Sequence, residues 1–77
     1  MMVFEELKKI INEIMDIPMN EIELGSHLYD EMDADSLDMS QIVLALENKY
    51  SIEIDDEVFE EFDTVGNIVE YVEKLAA

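Results

Sequence analysis

The segment Asp33-Ala34-Asp35-Ser36-Leu37-Asp38-Met39 holds the residues of this chain best placed to do chemistry. It sets a hydroxyl between two carboxylates, after a long connection and at the expected start of a helix. A first-turn serine is accessible, and the backbone N–H groups beside it have no helical acceptor, which favours an anion there. The bland reading is capping. Asp35 serves as N-cap, and Asp38 three residues on completes something close to a capping box, with Asp in place of the usual Glu or Gln. A serine nucleophile needs a base within hydrogen-bond reach. The only histidine, His27, stands in a loop nine residues upstream, so this reading is set aside. Calcium is a third option, because Asp33, Asp35 and Asp38 cluster. Counted from Asp33, however, Leu37, Asp38 and Leu44 stand where an EF-hand loop needs an oxygen ligand, a glycine and a glutamate. No specific metal site follows, although the dense negative field is compatible with weak, non-specific divalent binding.

The elements that must position this segment are helical. Over residues 3–17, Phe4, Leu7, Ile11 and Ile14 form one stripe of a 3.6-residue period, and Pro18 ends it. Residues 18–34 form a long connection punctuated by Gly25 and Ser26. Ile22, Leu24, Leu28, Tyr29 and Met32 are expected to pack it onto the core, with Leu28 to Met32 as a short helical turn. Residues 36–50 read as a second helix with Met39, Val43, Leu46 and Tyr50 as its stripe and Ile42 and Ala45 alongside. Leu37 and Leu44 fall off that stripe, so at least one is expected to be exposed. Ser51 to Ile54 is an extended linker. Asp55 or Asp56 caps a short third helix through about Glu61. Asp63 or Thr64 caps a last helix, 65–75, with Val65, Ile68, Val72 and Leu75 as its stripe. The expected fold is all-α, a small bundle of three main helices and one short one with a long first loop, as a single domain over residues 1–77.

Composition narrows the function. The chain has 77 residues, with 21 Asp and Glu against 4 lysines and no arginine, and a formal charge of -17. A nucleic-acid surface needs a basic face, and anionic membranes demand the same. Both are excluded as partners, and a basic protein partner is the natural inference. Hydrophobic residues make up 49%, too many for an acidic disordered tail. Cysteine is absent, which removes disulfides, thiolate metal sites and a cysteine nucleophile. No stretch reads as a membrane span or a leader, so a cytoplasmic protein, monomeric by its charge, is expected.

Asp35-Ser36-Leu37-Asp38 at a helix start, in an acidic chain of this length, resembles the acyl carrier proteins. The resemblance runs from Phe4 through Leu75. It includes the long first loop, Ala34 before the motif, Ala45-Leu46-Glu47 within the second helix, Glu53-Ile54 followed by Asp56, and Thr64-Val65 opening the last helix. It implies that a holo-synthase transfers 4'-phosphopantetheine from coenzyme A onto Ser36, and that the arm's thiol then carries acyl chains as thioesters. The chain would be a carrier and not an enzyme, the chemistry belonging to the cofactor and its partners. The resemblance also implies docking onto basic patches of the holo-synthase, acyltransferases, ketosynthases and other acyl-processing enzymes. Asp35, Asp38, Glu47, Asp56 and Glu60 match its acidic recognition positions, and Leu37 and Leu44 match the apolar contacts among them. Leu46, Ile54, Phe62 and Ile68 match positions that line an acyl cavity between the helices.

The chain departs from that family at several points. Asp33 stands where the family usually has glycine; if that position takes positive φ, Asp tolerates it better than most residues. Gln41 and Asn48 replace acids common in fatty-acid carriers, and Met39 and Ser40 alter the same surface. Phe59, Phe62 and Ile68 are larger than the residues often found there, which suggests either a partly filled cavity or an ordinary repacked core. The expected function is a carrier for fatty-acid synthesis. The alternatives are a dedicated carrier for polyketide, nonribosomal peptide or other specialised acyl assembly, and an acidic interaction module without cofactor.

Overall fold

The computed structural model describes residues 2–76, and their order is helical: α1 Met2–Met15, α2 Ser36–Tyr50, α3 Asp56–Phe59 and α4 Val65–Ala76. A single 3-10 turn, Met19–Glu21, interrupts the long first loop. Among the described residues there is no strand, only one isolated antiparallel bridge between His27 and Thr64. The all-α expectation holds.

One core explains the arrangement. α1 packs against both α2 and α4, and each helix contributes its apolar stripe. Leu7, Ile11, Ile42, Leu46, Val65, Ile68 and Val72 are wholly buried. Burial of a side chain of this size contributes about 2 kcal/mol against exposure. The edges of the stripes differ from expectation. Phe4, Ile14 and Tyr50 are half-buried, Leu75 is exposed, and Val3 and Val69 are buried instead. The 3.6-residue period fixes the centre of a face, while neighbouring helices decide how wide it is.

The first helix stops at Met15, two residues before the expected end. Asp16 turns left-handed at φ 60, and the Asn12 side-chain amide donates to the Ile17 carbonyl at 2.9 Å. Chain reversal thus occurs before Pro18 has to enforce it. α3 is likewise shorter than expected, ending at Phe59, with Glu60 and Glu61 in a following turn.

The long loop is pinned at its middle. Leu28 N–H donates to Asp63 O at 2.8 Å, Val65 N–H to Ser26 O at 3.1 Å and Gly66 N–H to Leu24 O at 2.8 Å. The last bond needs close approach: a Cβ on Gly66 would lie 3.0 Å from the Leu24 carbonyl oxygen, so a larger residue there would push the loop away. The turn expected at Leu28 to Met32 is present, with Glu31 and Met32 N–H both donating to His27 O at 3.1 Å. Ile22 and Leu28 are buried as expected and Met32 is half-buried. Leu24 and Tyr29 are exposed, which corrects their assignment to the core. The bond from Gly66 N–H to the Leu24 carbonyl holds that part of the loop without the Leu24 side chain.

α4 opens on a reciprocal cap. Asn67 N–H donates to Thr64 Oγ1 at 3.2 Å, and Asn67 Oδ1 accepts from Asp63 N–H and Thr64 N–H at 3.1 and 3.2 Å. Thr64 is therefore the capping residue of the two proposed from sequence.

Candidate functional site

Ser36 is the first residue of α2 and is exposed. Asp35 before it is extended, and its carboxylate accepts Asp38 N–H at 2.9 Å while the Asp38 carboxylate accepts Asp35 N–H at 3.3 Å. The expected capping box forms with both bonds. It occupies two first-turn donors and leaves the N–H groups of Ser36 and Leu37 without a helical acceptor. The approach to the box is equally defined. Asp33 takes φ 58, a left-handed conformation that Asp tolerates better than most residues. Ala34 is then buried, its N–H donating to Leu28 O at 2.9 Å. Ala34 anchors the loop while Asp33, Asp35 and Ser36 face solvent.

Ser36 lies on the lining of a groove of about 330 Å³ shared with Tyr29, Met39, Ser40, Val43, Asp56, Phe59 and Glu60. Met39, Val43 and Phe59 are buried and make its floor; Tyr29, Ser40, Asp56 and Glu60 are exposed and make its rim. Sequence reasoning did not identify this lining, although a signal existed. Ser36, Met39, Ser40 and Val43 stand at i, i+3, i+4 and i+7, one face of α2. The contribution of α3 was not readable, because the reversal that brings Phe59 back over α2 is not local in sequence.

The proposed recognition residues separate into groups. Asp56 and Glu60 share the Ser36 groove, and Asp35, Leu37 and Asp38 adjoin Ser36 in the first turn. Leu37 is 66% exposed and Leu44 60%. Leu44 lies on another groove, of about 280 Å³, with Ile10, Glu13, Ile14, Gln41, Ala45 and Asn48. Glu47 is half-buried, and its Oε2 accepts Ile54 N–H at 2.7 Å. Its carboxylate holds the linker after α2 and is not free on the surface.

The proposed cavity residues lie in the core. Leu46, Ile54 and Ile68 are buried, Phe62 is half-buried, and none of the four lines the groove at Ser36. Phe62 stacks edge-to-face on Phe59 at 5.8 Å between centroids and on Tyr71 at 5.2 Å.

The positive charge gathers away from the groove. Lys8 pairs with Glu5 at 2.7 Å, and Lys9 and Lys49 pair with Glu6 at 3.7 and 3.5 Å. The hydrogen bond and charge of Lys8 hold the Glu5 carboxyl below the usual carboxylate range. Burial, and then the charge of Glu6, push the Tyr50 phenol up. No basic residue lines the Ser36 groove, so its rim keeps a negative field that a cationic partner would meet. Among the described residues, no group of three or more His, Asp or Glu side chains is arranged to hold a metal ion, and no helix is long and apolar enough to cross a membrane. His27 lines no part of the groove, and its backbone N–H donates to Glu31 Oε1 at 2.9 Å.

Nearly the whole chain around this site has known relatives in sequence. The family described as phosphopantetheine attachment site matches residues 5–72. An acyl carrier protein of Wolinella succinogenes is 38% identical over 73 residues, 95% of this chain and 96% of its own length. Acyl carrier proteins of Helicobacter hepaticus and Clostridium acetobutylicum are each 41% identical, covering 91% and 92% of this chain and 92% of each of their own lengths. The chain belongs to the phosphopantetheine-attachment family, among the acyl carrier proteins.

Proposed function

We propose that Ser36 carries the phosphopantetheine arm and that the protein presents acyl chains on it to the enzymes of fatty-acid synthesis. Membership of the family makes the chain a carrier rather than an enzyme and 4'-phosphopantetheine its covalently attached group. The observation that carries the assignment to Ser36 is its exposure on the first turn of α2 at the edge of an apolar-floored groove.

The residues fit the group. A phosphodiester on Ser36 would lie at the positive end of the α2 dipole, near the two first-turn N–H groups that the capping box leaves free. The Asp35 and Asp38 carboxylates are occupied in that box, which orients the turn despite their charge. When bound, the group supplies a thiol that holds an acyl chain as a thioester. The apolar floor of Met39, Val43 and Phe59 offers that chain shelter from water.

Asp35, Asp38, Asp56 and Glu60 with Leu37 form the docking surface in this reading, suited to basic patches on the holo-synthase, acyltransferases and ketosynthases. Charges at such a rim set on-rate and specificity more than affinity, which suits a carrier that must leave quickly. The protein acts as a single monomeric domain, and the proposed setting is the cytoplasm. A second reading, a carrier dedicated to another acyl pathway, draws on Gln41 and Asn48, uncharged residues beside exposed Leu44.

The test is an intact-mass spectrum after incubation with coenzyme A and a promiscuous phosphopantetheinyl transferase. Gain of one phosphopantetheine by the wild type and none by Ser36→Ala is expected. No gain by the wild type would leave Ser36 an unmodified first-turn residue beside the Asp35 cap and the protein an acidic module. Loading by a panel of purified ketosynthases and acyltransferases then separates the two pathways.

A further inference from the structure

We propose that Phe59 sets the length of acyl chain this protein can shelter, so that its cargo is short to medium acyl groups and not long ones. The inference rests on the Ser36 reading and adds the substrate class. The groove beside Ser36 has about 330 Å³. At roughly 30 Å³ for each small group, the share of one water in the liquid, that holds about ten non-hydrogen atoms. A longer chain must either leave its end in solvent or pass through the floor.

The floor is closed. Phe59 is 2% exposed, so the groove meets only the margin of a packed ring. Phe62 backs it edge-to-face at 5.8 Å, and Tyr71 backs Phe62 at 5.2 Å. The Tyr71 hydroxyl in turn accepts the N–H of Asp55, the residue that caps α3, at 3.4 Å. The ring therefore cannot swing inward without displacing a second ring and a third, the last of them tied to the start of the short helix that carries Phe59. Leu46 and Ile68, elsewhere in the same core, are wholly buried. A large aromatic ring packed at native density leaves no continuous path for methylenes.

The test loads acyl-phosphopantetheine from a series of acyl-coenzyme A donors, from about four to about sixteen carbons, each methylene adding a similar apolar increment. Two quantities are read: the melting temperature of each acyl form and the rate at which an added small thiol exchanges the thioester. In the wild type, exchange should slow with each carbon, by as much as about fourfold for a fully buried methylene, and then level off near about ten carbons. Phe59→Leu should move that break to longer chains, and Phe59→Ala further still. The wild-type series does not depend on either variant folding. Protection that climbs steadily to the longest chain overturns the proposal, as does a folded Phe59→Leu with an unchanged break. Failure of any chain to load would overturn the Ser36 reading and this proposal with it, whereas loading without a break overturns this proposal alone.

Discussion

The carboxylate of Glu47 accepts the backbone N–H of Ile54 at 2.7 Å, and the Glu47 carbonyl accepts that of Ile52 at 3.2 Å. Between them Ser51 turns left-handed at φ 55 as the C-cap of α2, its N–H also donating to Glu47 O. One residue thus satisfies the end of the helix and aims the linker that leads to α3, the second wall of the Ser36 groove. Removing the side chain leaves the N–H of buried Ile54 without its charged acceptor, a loss of about 1–2 kcal/mol. Glu47→Ala should lower the melting temperature by roughly 4–16 °C in a domain this small. Glu47→Gln, which keeps an acceptor, should recover at least half of that. Equal loss in the two variants would show that charge, and not the bond to Ile54, is what matters.

That bond was not legible in the sequence, where Glu47 reads as one more carboxylate on a solvated helix face. The partner lies seven positions on, across a reversal set by a non-glycine residue in the left-handed region. What the sequence did disclose was local. The capping box at Asp35 and Asp38 and the stripes through Leu7, Ile11, Leu46 and Ile68 follow from spacing and residue type, while the positive φ at Asp33 was open until the structure gave it. The groove was legible by half: its α2 side repeats at helical spacing from Ser36, while Asp56 and Phe59 arrive from a helix of four residues and Glu60 from the turn after it. The exposure of Leu24, Tyr29 and Leu75 could not be read either, since backbone bonds and helix neighbours decide it.

Tyr50 offers a stabilising substitution. Its hydroxyl is buried with no hydrogen-bond partner among the described residues, and burial and the charge of Glu6 raise the phenol pKa. A raised folded-state value favours the neutral form, so its contribution is complete below the unfolded phenol value near pH 10 and is lost as pH rises through the folded value. Tyr50→Phe removes an unsatisfied polar group and should leave the melting temperature at neutral pH unchanged or higher by a few degrees. It should also reduce the loss of stability between about pH 9 and 11. A clear drop at neutral pH would mean that the hydroxyl makes a bond in solution.

The formal charge of -17 predicts a salt response. Three of the four lysines already pair with Glu5 or Glu6 on α1, so the acids around Ser36 and α3 repel one another with little local compensation. Raising salt from about 10 mM to about 200 mM shortens the screening length from about 30 Å to under 10 Å. The melting temperature should rise by several degrees, and millimolar Mg²⁺ or Ca²⁺ should have a similar effect. A flat melting temperature across that range would contradict the repulsion argument.

The most direct test of the central claim is where the arm goes. Ser40 lines the same groove as Ser36 but lies a full turn inside α2, where its N–H is taken up by the helix. Tandem mass spectrometry of proteolytic fragments after transfer from coenzyme A should place phosphopantetheine on Ser36 alone, with Ser36→Ala unmodified and Ser40→Ala modified fully. Modification that persists in Ser36→Ala, or a wild type that takes up no phosphopantetheine, would contradict the account.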